Sequence, residues 1–249
     1  MSMNETHARD EICRIGQSLF ARGYVHATAG NISIRLDDGY LITPSDACLG
    51  QLDPARLAKV NAQGVQVSGD KASKTLALHQ HIYQAAQAHD PRTACVIHTH
   101  STHCVALSLR QPTAGFVAAQ PSAQPSIQSS VPPNDWPELL PPLTPYFVMK
   151  VGHVPHLAYR RPGDAVMASR VAHVIAHYGQ LGAPIRAVML ERLGPNVWHQ
   201  DAASAMAVLE ELEETARLAM LCPDTPPLAP DQIQELRETF GARWLLSTN

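Results

Sequence analysis

The chain of 249 residues has a formal net charge of −3 and a pI of about 6.5, and 16% of its residues are charged. Its lysines and arginines are scattered, so the sequence gives no reason to expect nucleic-acid binding. The N-terminus lacks the apolar segment of a signal peptide, and no apolar run approaches the ~18 residues that span a bilayer, so we expect a cytoplasmic protein without a membrane partner.

The first half of the chain predicts one helix and then a series of short strands. Apolar residues recur at helical spacing over residues 5–22, and Gly23 ends that helix. The stretch ATAGNISIRL turns into apolar–polar alternation, and Asp38 and Gly39 predict a hairpin turn before the next strand. A short helical turn and two further strands are predicted before residue 74.

The second half predicts helices that alternate with buried strands. Residues 74–88 have helical spacing with His79 as a packing residue, TACVIHTH is a buried strand, and a helix follows it. The stretch YFVMKVGHVPHLAY predicts one or two strands, and IRAVMLE predicts another. Helices are predicted over residues 164–178 and 202–221.

The composition changes over residues 111–137, which are rich in Pro, Ser and Gln and nearly free of charge. Such a segment buries little apolar surface, so we predict a flexible insertion within one domain over residues 1–221. Residues 222–249 are predicted to form a tail with a short helix. Mixed hairpins, isolated strands and helices favour an α/β sandwich, in which helices flank a central mixed, largely antiparallel β-sheet.

A His-x-His pair follows the predicted buried strand. His98 and His100 are two residues apart, so on a strand their side chains share one face, where two imidazoles can chelate a metal ion. Such a site needs further ligands. His103 lies in the first turn of the next predicted helix, and His153 and His156 flank a Val–Pro in a strand, so each could point at the site or away from it. The five cysteines contain no CxxC pair and fit reduced thiols.

The stretch TAGNIS, with Gly30 and Asn31, lies between the first helix and the first strand. Backbone amides and a carboxamide at such a position can face an anion, although the stretch can equally be a simple turn. Neither GxGxxG nor GxxxxGK[ST] occurs, so nucleotide binding by those loops is unsupported.

These motifs occur together with LITPS, SGDKASK and GDAVMASRVA, and in that combination the chain resembles the class II aldolase/adducin family over residues 12–221. The stretches LPPLTPYFVMKVG, LDPARL and ELEETARLA are most similar to its 3-oxo-tetronate 4-phosphate decarboxylase branch. The resemblance implies the fold of that family and a homo-oligomer, often a tetramer. It further implies a substrate phosphate held by Asn31, Ser45 and Ser73 with Lys74 as a cationic neighbour, and a divalent metal, zinc first, held by His98 and His100.

The two other ligand positions of the family are substituted. The resemblance implies a Glu where Thr75 stands, and a His in an NHGP turn where Leu193 stands. Thr75 supplies no carboxylate charge and Leu193 cannot ligate, so we predict weak metal binding. A replacement ligand could be Glu191, which lies two residues before Leu193 on the same predicted strand, or His153, His156 or His103. The catalytic residues are left open, with Thr75 at the Glu position and Tyr146 as a further candidate.

Two classes of function follow. If the site works as the resemblance implies, the chain is a metal-dependent carbon–carbon lyase, a decarboxylase or aldolase acting on a phosphorylated sugar or sugar acid. A decarboxylase suffers less from the missing Glu, because no hydroxyl proton must be removed. The alternative is a catalytically inactive or repurposed homologue that serves as a binding or assembly subunit, because fold alone does not guarantee chemistry.

Overall fold

The computed structural model describes residues 4–110 and 136–246. The predicted insertion at 111–137 lies outside these ranges except for its last two residues, so its flexibility stays a prediction. Six α-helices occur within the described ranges: α1 Glu5–Ala21, α2 Leu76–Gln87, α3 Thr102–Ser108, α4 Ala165–Gln180, α5 Ala202–Leu221 and α6 Pro230–Phe240. Asn4, Asp164 and Asp201 cap α1, α4 and α5 by accepting a backbone N–H. Within those ranges, none of the helices has the length and apolarity to cross a membrane.

The strands form one eight-stranded sheet in the order β4-β3-β2-β1-β5-β8-β7-β6. Their bounds are β1 Asn31–Leu36, β2 Gly39–Ile42, β3 Ala58–Asn61, β4 Gln66–Ser68, β5 Cys95–His98, β6 His156–Leu157, β7 Ala187–Leu190 and β8 Gly194–His199. In the described part of the chain, β6 and β7 run parallel and the other neighbouring strands run antiparallel. The predicted mixed, largely antiparallel sheet is confirmed.

Helices cover both faces of the sheet because the buried strands present apolar side chains on both sides. On one face, α1, α5 and α6 pack on a core that includes Ile32, Ile34 and Ile97. On the other face, α2 and α4 pack together over a second core that includes Val96 and Trp198. Alternation along β5 turns His98 toward the same face as Val96, under α2 and α4.

The described part of the tail contributes to the first core. Ile233 of α6 is 4% exposed and Trp244 is 6% exposed, and both pack among side chains of that core. The predicted short helix of the tail is therefore present, and the division of the chain at residue 221 stays a prediction.

Of the one or two strands predicted over YFVMKVGHVPHLAY, only one is present, because Phe147–Val151 in its first half form a π-helical turn. The Phe147 N–H donates to the Thr144 hydroxyl at 3.1 Å, and the Gly152 N–H donates to the Phe147 carbonyl at 2.9 Å. A short apolar run has no periodicity that separates a strand from a buried helical turn. The later part of the same stretch does contain the short strand β6.

The pairing of β1 with β5 brings the two sequence motifs of interest together. Asn31 of β1 lies directly opposite His98 of β5 in the antiparallel register. Gly30 has a φ of +84°, and a Cβ there would lie 2.9 Å from the His98 carbonyl oxygen. A glycine is therefore what allows the loop before β1 to pass this close to the end of β5.

Candidate active site

A cavity of about 540 Å³ opens where β1 begins and β5 ends, beside the first turns of α2 and α4. Its walls come from the loop before β1, the segment after β2, the segment that leads into α2, the end of β5 and the loop that leads into α4. Leu190 and Leu193, around the turn between β7 and β8, add an apolar wall.

The four residues expected around a substrate phosphate all line this cavity: Asn31, Ser45, Ser73 and Lys74. Asn31 is only 7% exposed, and its Oδ1 has no hydrogen-bond partner among the residues that the structure describes. The Ser45 hydroxyl donates to the Ala72 carbonyl at 2.9 Å, whereas Ser73 Oγ lies 3.0 Å from Thr75 Oγ1. Lys74 is exposed. One cation among neutral hydrogen-bonding groups can accept an anion.

The His-x-His pair lies at the inner end of the cavity in a form suited to metal binding. His98 Nδ1 is 3.0 Å from the Pro195 carbonyl oxygen, and because a carbonyl only accepts, Nδ1 carries the proton and Nε2 keeps its lone pair. Burial, together with the neighbouring His100, lowers the pKa of His98 to about 4. Burial also lowers the pKa of His100, with a smaller contribution from His26. Both imidazoles are therefore neutral at pH 7.

Thr75 and Leu193, which stand where the family resemblance implies two further ligands, also lie at this cavity. Thr75 precedes the first turn of α2, and Leu193 packs against the core beneath α2 and α4. His79, one helical turn after Thr75, is fully buried as predicted, and its Nδ1 lies 2.7 Å from Ser33 Oγ. Within residues 4–110 and 136–246, its Nε2 has no hydrogen-bond partner. A longer polar side chain at position 75 would share a helix face with this nitrogen, and the threonine does not reach it.

Two of the proposed replacement ligands are held elsewhere. His153 Nδ1 lies 2.8 Å from Glu138 Oε1, its ring stacks on Trp244 at a centroid distance of 4.1 Å, and its Nε2 accepts the Leu245 N–H. His103 Nδ1 lies 2.8 Å from the buried Glu213 carboxylate. Both histidines are fixed by structural contacts away from the cavity walls, which corrects their assignment as candidate ligands.

The remaining candidates also lie outside the cavity walls. The Glu191 carboxylate accepts the Tyr159 N–H at 2.8 Å. Strand β7 ends at Leu190, so the alternation that would place Glu191 and Leu193 on one face does not continue. His156 lies on β6, and its Nε2 is buried without a partner in the described part of the chain. Tyr146 is 61% exposed beside the π-helical turn. The structure therefore does not bring these three residues to the His-x-His pair.

Three cavity residues were missed by the sequence reasoning: His26, Arg160 and Arg161. Arg160 and Arg161 lie in the loop that leads into α4, and Arg160 Nη1 is 3.5 Å from Asp164 Oδ2. The signal that could have found the arginines is the pair of adjacent cations before Pro162–Gly163, directly ahead of a capped helix. His26 lies five residues before Asn31 in a motif that had already been recognised.

The residues of the cavity fit a divalent metal in part. His98 and His100 are neutral imidazoles, which are suitable ligands for a divalent metal, and their ring centroids are 5.1 Å apart. However, among residues 4–110 and 136–246, no three His, Cys, Asp or Glu side chains already lie in metal-ligand positions. Because a catalytic zinc has three protein ligands and an open position, one further donor is required.

Known proteins are similar to this chain in sequence and in fold. The model of the family described as the class II aldolase and adducin N-terminal domain matches residues 10–220. A 3-oxo-tetronate 4-phosphate decarboxylase of Cupriavidus necator is 52% identical over 247 residues, which are 96% of this chain and 99% of that relative. A protein of the same name from Escherichia coli K12 is 39% identical over 94% of this chain and 96% of its own length.

A solved structure agrees with these relatives. YgbL of Escherichia coli, described as an aldolase/epimerase/decarboxylase, superposes with a TM-score of 0.73 at 38% identity, covering 94% of this chain and 99% of that one. The chain therefore belongs to the class II aldolase and adducin family. It is a carbon–carbon lyase of the class II aldolase type, a metal-dependent class.

Proposed function

We propose that this lyase decarboxylates a 3-oxo-tetronate 4-phosphate, a four-carbon sugar acid with a carboxylate at one end and a phosphate at the other. One observation carries the proposal: a single cavity combines anion-binding groups with a pair of metal-competent imidazoles. The relative of that name with 52% identity along almost the whole chain supports it.

In this proposal the phosphate is held by Asn31, Ser73 and Lys74, with Ser45 beside them. The Lys74 ammonium supplies charge, and the Ser73 hydroxyl can turn from Thr75 to donate to a phosphate oxygen. Hydrogen bonds to a charged group are the stronger kind, so a few such contacts suffice to orient one end of the substrate. His98 and His100 would hold a divalent ion, zinc being the first candidate, at the inner end of the cavity.

Arg160 and Arg161 are proposed to orient the substrate carboxylate. Both line the cavity, and a guanidinium matches a carboxylate in a two-point contact. Arg160 already lies beside Asp164, so part of its charge is compensated. This partial compensation of the Arg160 charge suits a decarboxylation. A strong ion pair would stabilise the reactant carboxylate more than the transition state, because the negative charge has then moved away from the carboxylate.

The reaction uses a carbonyl that is β to the carboxylate. The C1–C2 bond breaks, CO2 leaves, and the electron pair passes to C2 and the oxygen at C3; a proton added at C2 then gives dihydroxyacetone phosphate. A divalent ion, when bound, supplies Lewis-acid polarisation of a carbonyl oxygen. No hydroxyl proton has to be removed, so the absence of a carboxylate at Thr75 is tolerable. Leu193 and Met167 keep part of the cavity apolar, which strengthens the electrostatic interactions within it.

The test is a direct assay of the purified chain with 3-oxo-tetronate 4-phosphate, with and without added Zn²⁺ or Mn²⁺. We expect CO2 release and dihydroxyacetone phosphate in equal amounts, and no turnover of the unphosphorylated acid. His98→Ala should abolish turnover, whereas His81→Ala, on α2 with its ring bonded to the Ala77 carbonyl, should not change it. Substrate binding without any turnover in either metal would favour the inactive homologue.

A homo-oligomer, in the first place a tetramer, and a cytoplasmic location are part of the same proposal. Large apolar side chains remain exposed on neighbouring elements, among them Phe240 at 64% and Tyr146 at 61%, as expected of a chain that associates with copies of itself. All five cysteines are free, which is typical of a reducing compartment. Light scattering after size-exclusion chromatography measures the oligomer directly.

A further inference from the structure

Three imidazoles, not two, converge at the inner end of the cavity. His98 and His100 come from the end of β5, and His26 comes from the loop between α1 and β1. The His98 and His100 ring centroids are 5.1 Å apart, and the His26 and His100 centroids are 6.3 Å apart with the rings nearly perpendicular.

These separations can be compared with those of a real zinc site. A Zn–N distance of about 2.0–2.1 Å places each ring centroid about 3.2 Å from the ion, so two tetrahedral imidazole ligands have centroids about 5 Å apart. His98 and His100 already meet that value. The His26 ring is about 1 Å too far from His100, so within the described residues the three do not form a completed ligand set.

His26 is free to make up this difference. It is exposed, and within the described ranges no hydrogen bond to its ring is formed. His98, in contrast, is oriented by the Pro195 carbonyl. The backbone of the loop that carries His26 forms a hydrogen-bonded turn, in which the Ala29 N–H donates to the His26 carbonyl at 2.9 Å and Ala27 has a φ of +47°. Because its ring is exposed and unbonded, the His26 side chain can change rotamer while the loop backbone keeps its conformation.

We propose that His26 supplies the third imidazole of a divalent-metal site with His98 and His100, in place of the ligands that Thr75 and Leu193 do not provide. The inference rests on the proposed function, because it completes the metal site of the same cavity. Three neutral imidazoles leave the ion one open position, which faces the cavity where the substrate would enter.

Cobalt(II) tests this assignment by spectroscopy and not only by activity. Metal-free protein is titrated with Co²⁺ and, by calorimetry, with Zn²⁺. The parent should bind one ion per chain, and His26→Ala should bind at least about tenfold more weakly with a changed cobalt absorption spectrum. His81→Ala is the matched control and should behave as the parent.

The inference is overturned if the parent binds no metal, or if His26→Ala binds as tightly as the parent with the same cobalt absorption spectrum. Circular dichroism checks that the variants are folded. Measuring CO2 release on the same proteins separates the two proposals. If His26→Ala turns over the substrate and binds metal as the parent does, His26 is not a ligand, and the decarboxylase proposal stands. If His26→Ala binds metal more weakly but neither protein turns over the substrate, His26 is a ligand, and the decarboxylase proposal is rejected.

Discussion

The two halves of the cavity differ in how many of their expected side chains are present. The half around Asn31, Ser45, Ser73 and Lys74 has every polar group that the family resemblance implies. The half around His98 and His100 has two of the four ligands that the resemblance implies, with Thr75 and Leu193 at the other two positions. Anion binding spreads a modest free energy over several hydrogen bonds, so it tolerates individual changes. A metal site depends on the number of donors around one point, so each loss weakens it sharply. One half can therefore persist while the other changes its ligand set.

Restoring the substituted ligands should have the largest effect on this contrast. The double variant Thr75→Glu/Leu193→His should bind Zn²⁺ at least ~100-fold more tightly than the parent, since even an outer partner of a ligand is worth ~10–100-fold. Each single variant should fall between. Phosphate affinity should stay the same, because the other half of the cavity is untouched. Calorimetric titration with Zn²⁺ and with phosphate measures both.

Two controls sharpen this result. Leu193→His without metal should unfold more easily by ~1–3 kcal/mol, because a polar ring enters an apolar contact, and Zn²⁺ should restore the loss. In the double variant, His26→Ala should cost less affinity than in the parent, because a full ligand set no longer needs that imidazole. A double variant that binds no better than the parent would show that positions 75 and 193 are not ligand positions.

Acid should destabilise the fold through the buried His79, which lies near His98 of the imidazole half. Burial, with a contribution from His98, lowers the pKa of His79 to about 3, below its ordinary value of 6.5. The unfolded chain therefore takes up a proton between pH 6.5 and 3 that the folded chain refuses, and stability falls as the pH falls below 6.5, by about 1.4 kcal/mol per pH unit for one such group. From pH 6.5 to pH 5 this amounts to about 2 kcal/mol for His79.

Urea unfolding of metal-free protein at several pH values between 7 and 5 measures that dependence. His79→Gln should make the slope of stability against pH shallower by about one proton, although it removes the contact with Ser33. His81→Gln on the same helix serves as the control and should keep the parent slope. An unchanged slope in His79→Gln would mean that His79 does not resist protonation.

Within the phosphate half, the two serines should differ. Ser73→Ala should raise the KM for the phosphorylated substrate about tenfold or more, the value of a hydrogen bond to a charged group. Ser45→Ala should raise it about twofold, because its hydroxyl hydrogen is already donated to the Ala72 carbonyl. Steady-state kinetics of both variants decide, and equal effects would mean that the Ser45 hydroxyl turns toward the substrate.

The sequence predicted most of the fold and named six residues that line one cavity, whereas it missed His26, for physical reasons that differ by region. Alternation of Ile32, Ile34 and Leu36 defined β1 and its buried face, because strand periodicity is a local property. The expectation that Glu191 continues a strand failed at the turn after Leu190, where the chain enters the left-handed region. His26 escaped notice because a lone histidine in a loop carries no periodic signal, and only the folded chain brings it to His100.

The smallest effect is expected at the turn that carries Leu193. Arg192 has a φ of +64°, a backbone region that asparagine adopts more readily than arginine. Arg192→Asn should therefore stabilise the fold, by up to about 1 kcal/mol, and raise the Tm by roughly 2–4 °C at most. The backbone bond from the Arg192 N–H to Ser108 Oγ is kept, and the exposed contact with Glu191 that is lost is worth little. Arg192→Ala is the matched comparison, because it loses the same ion pair without gaining the asparagine preference. If differential scanning calorimetry gives both variants the same Tm, the left-handed turn before Leu193 is not a source of strain.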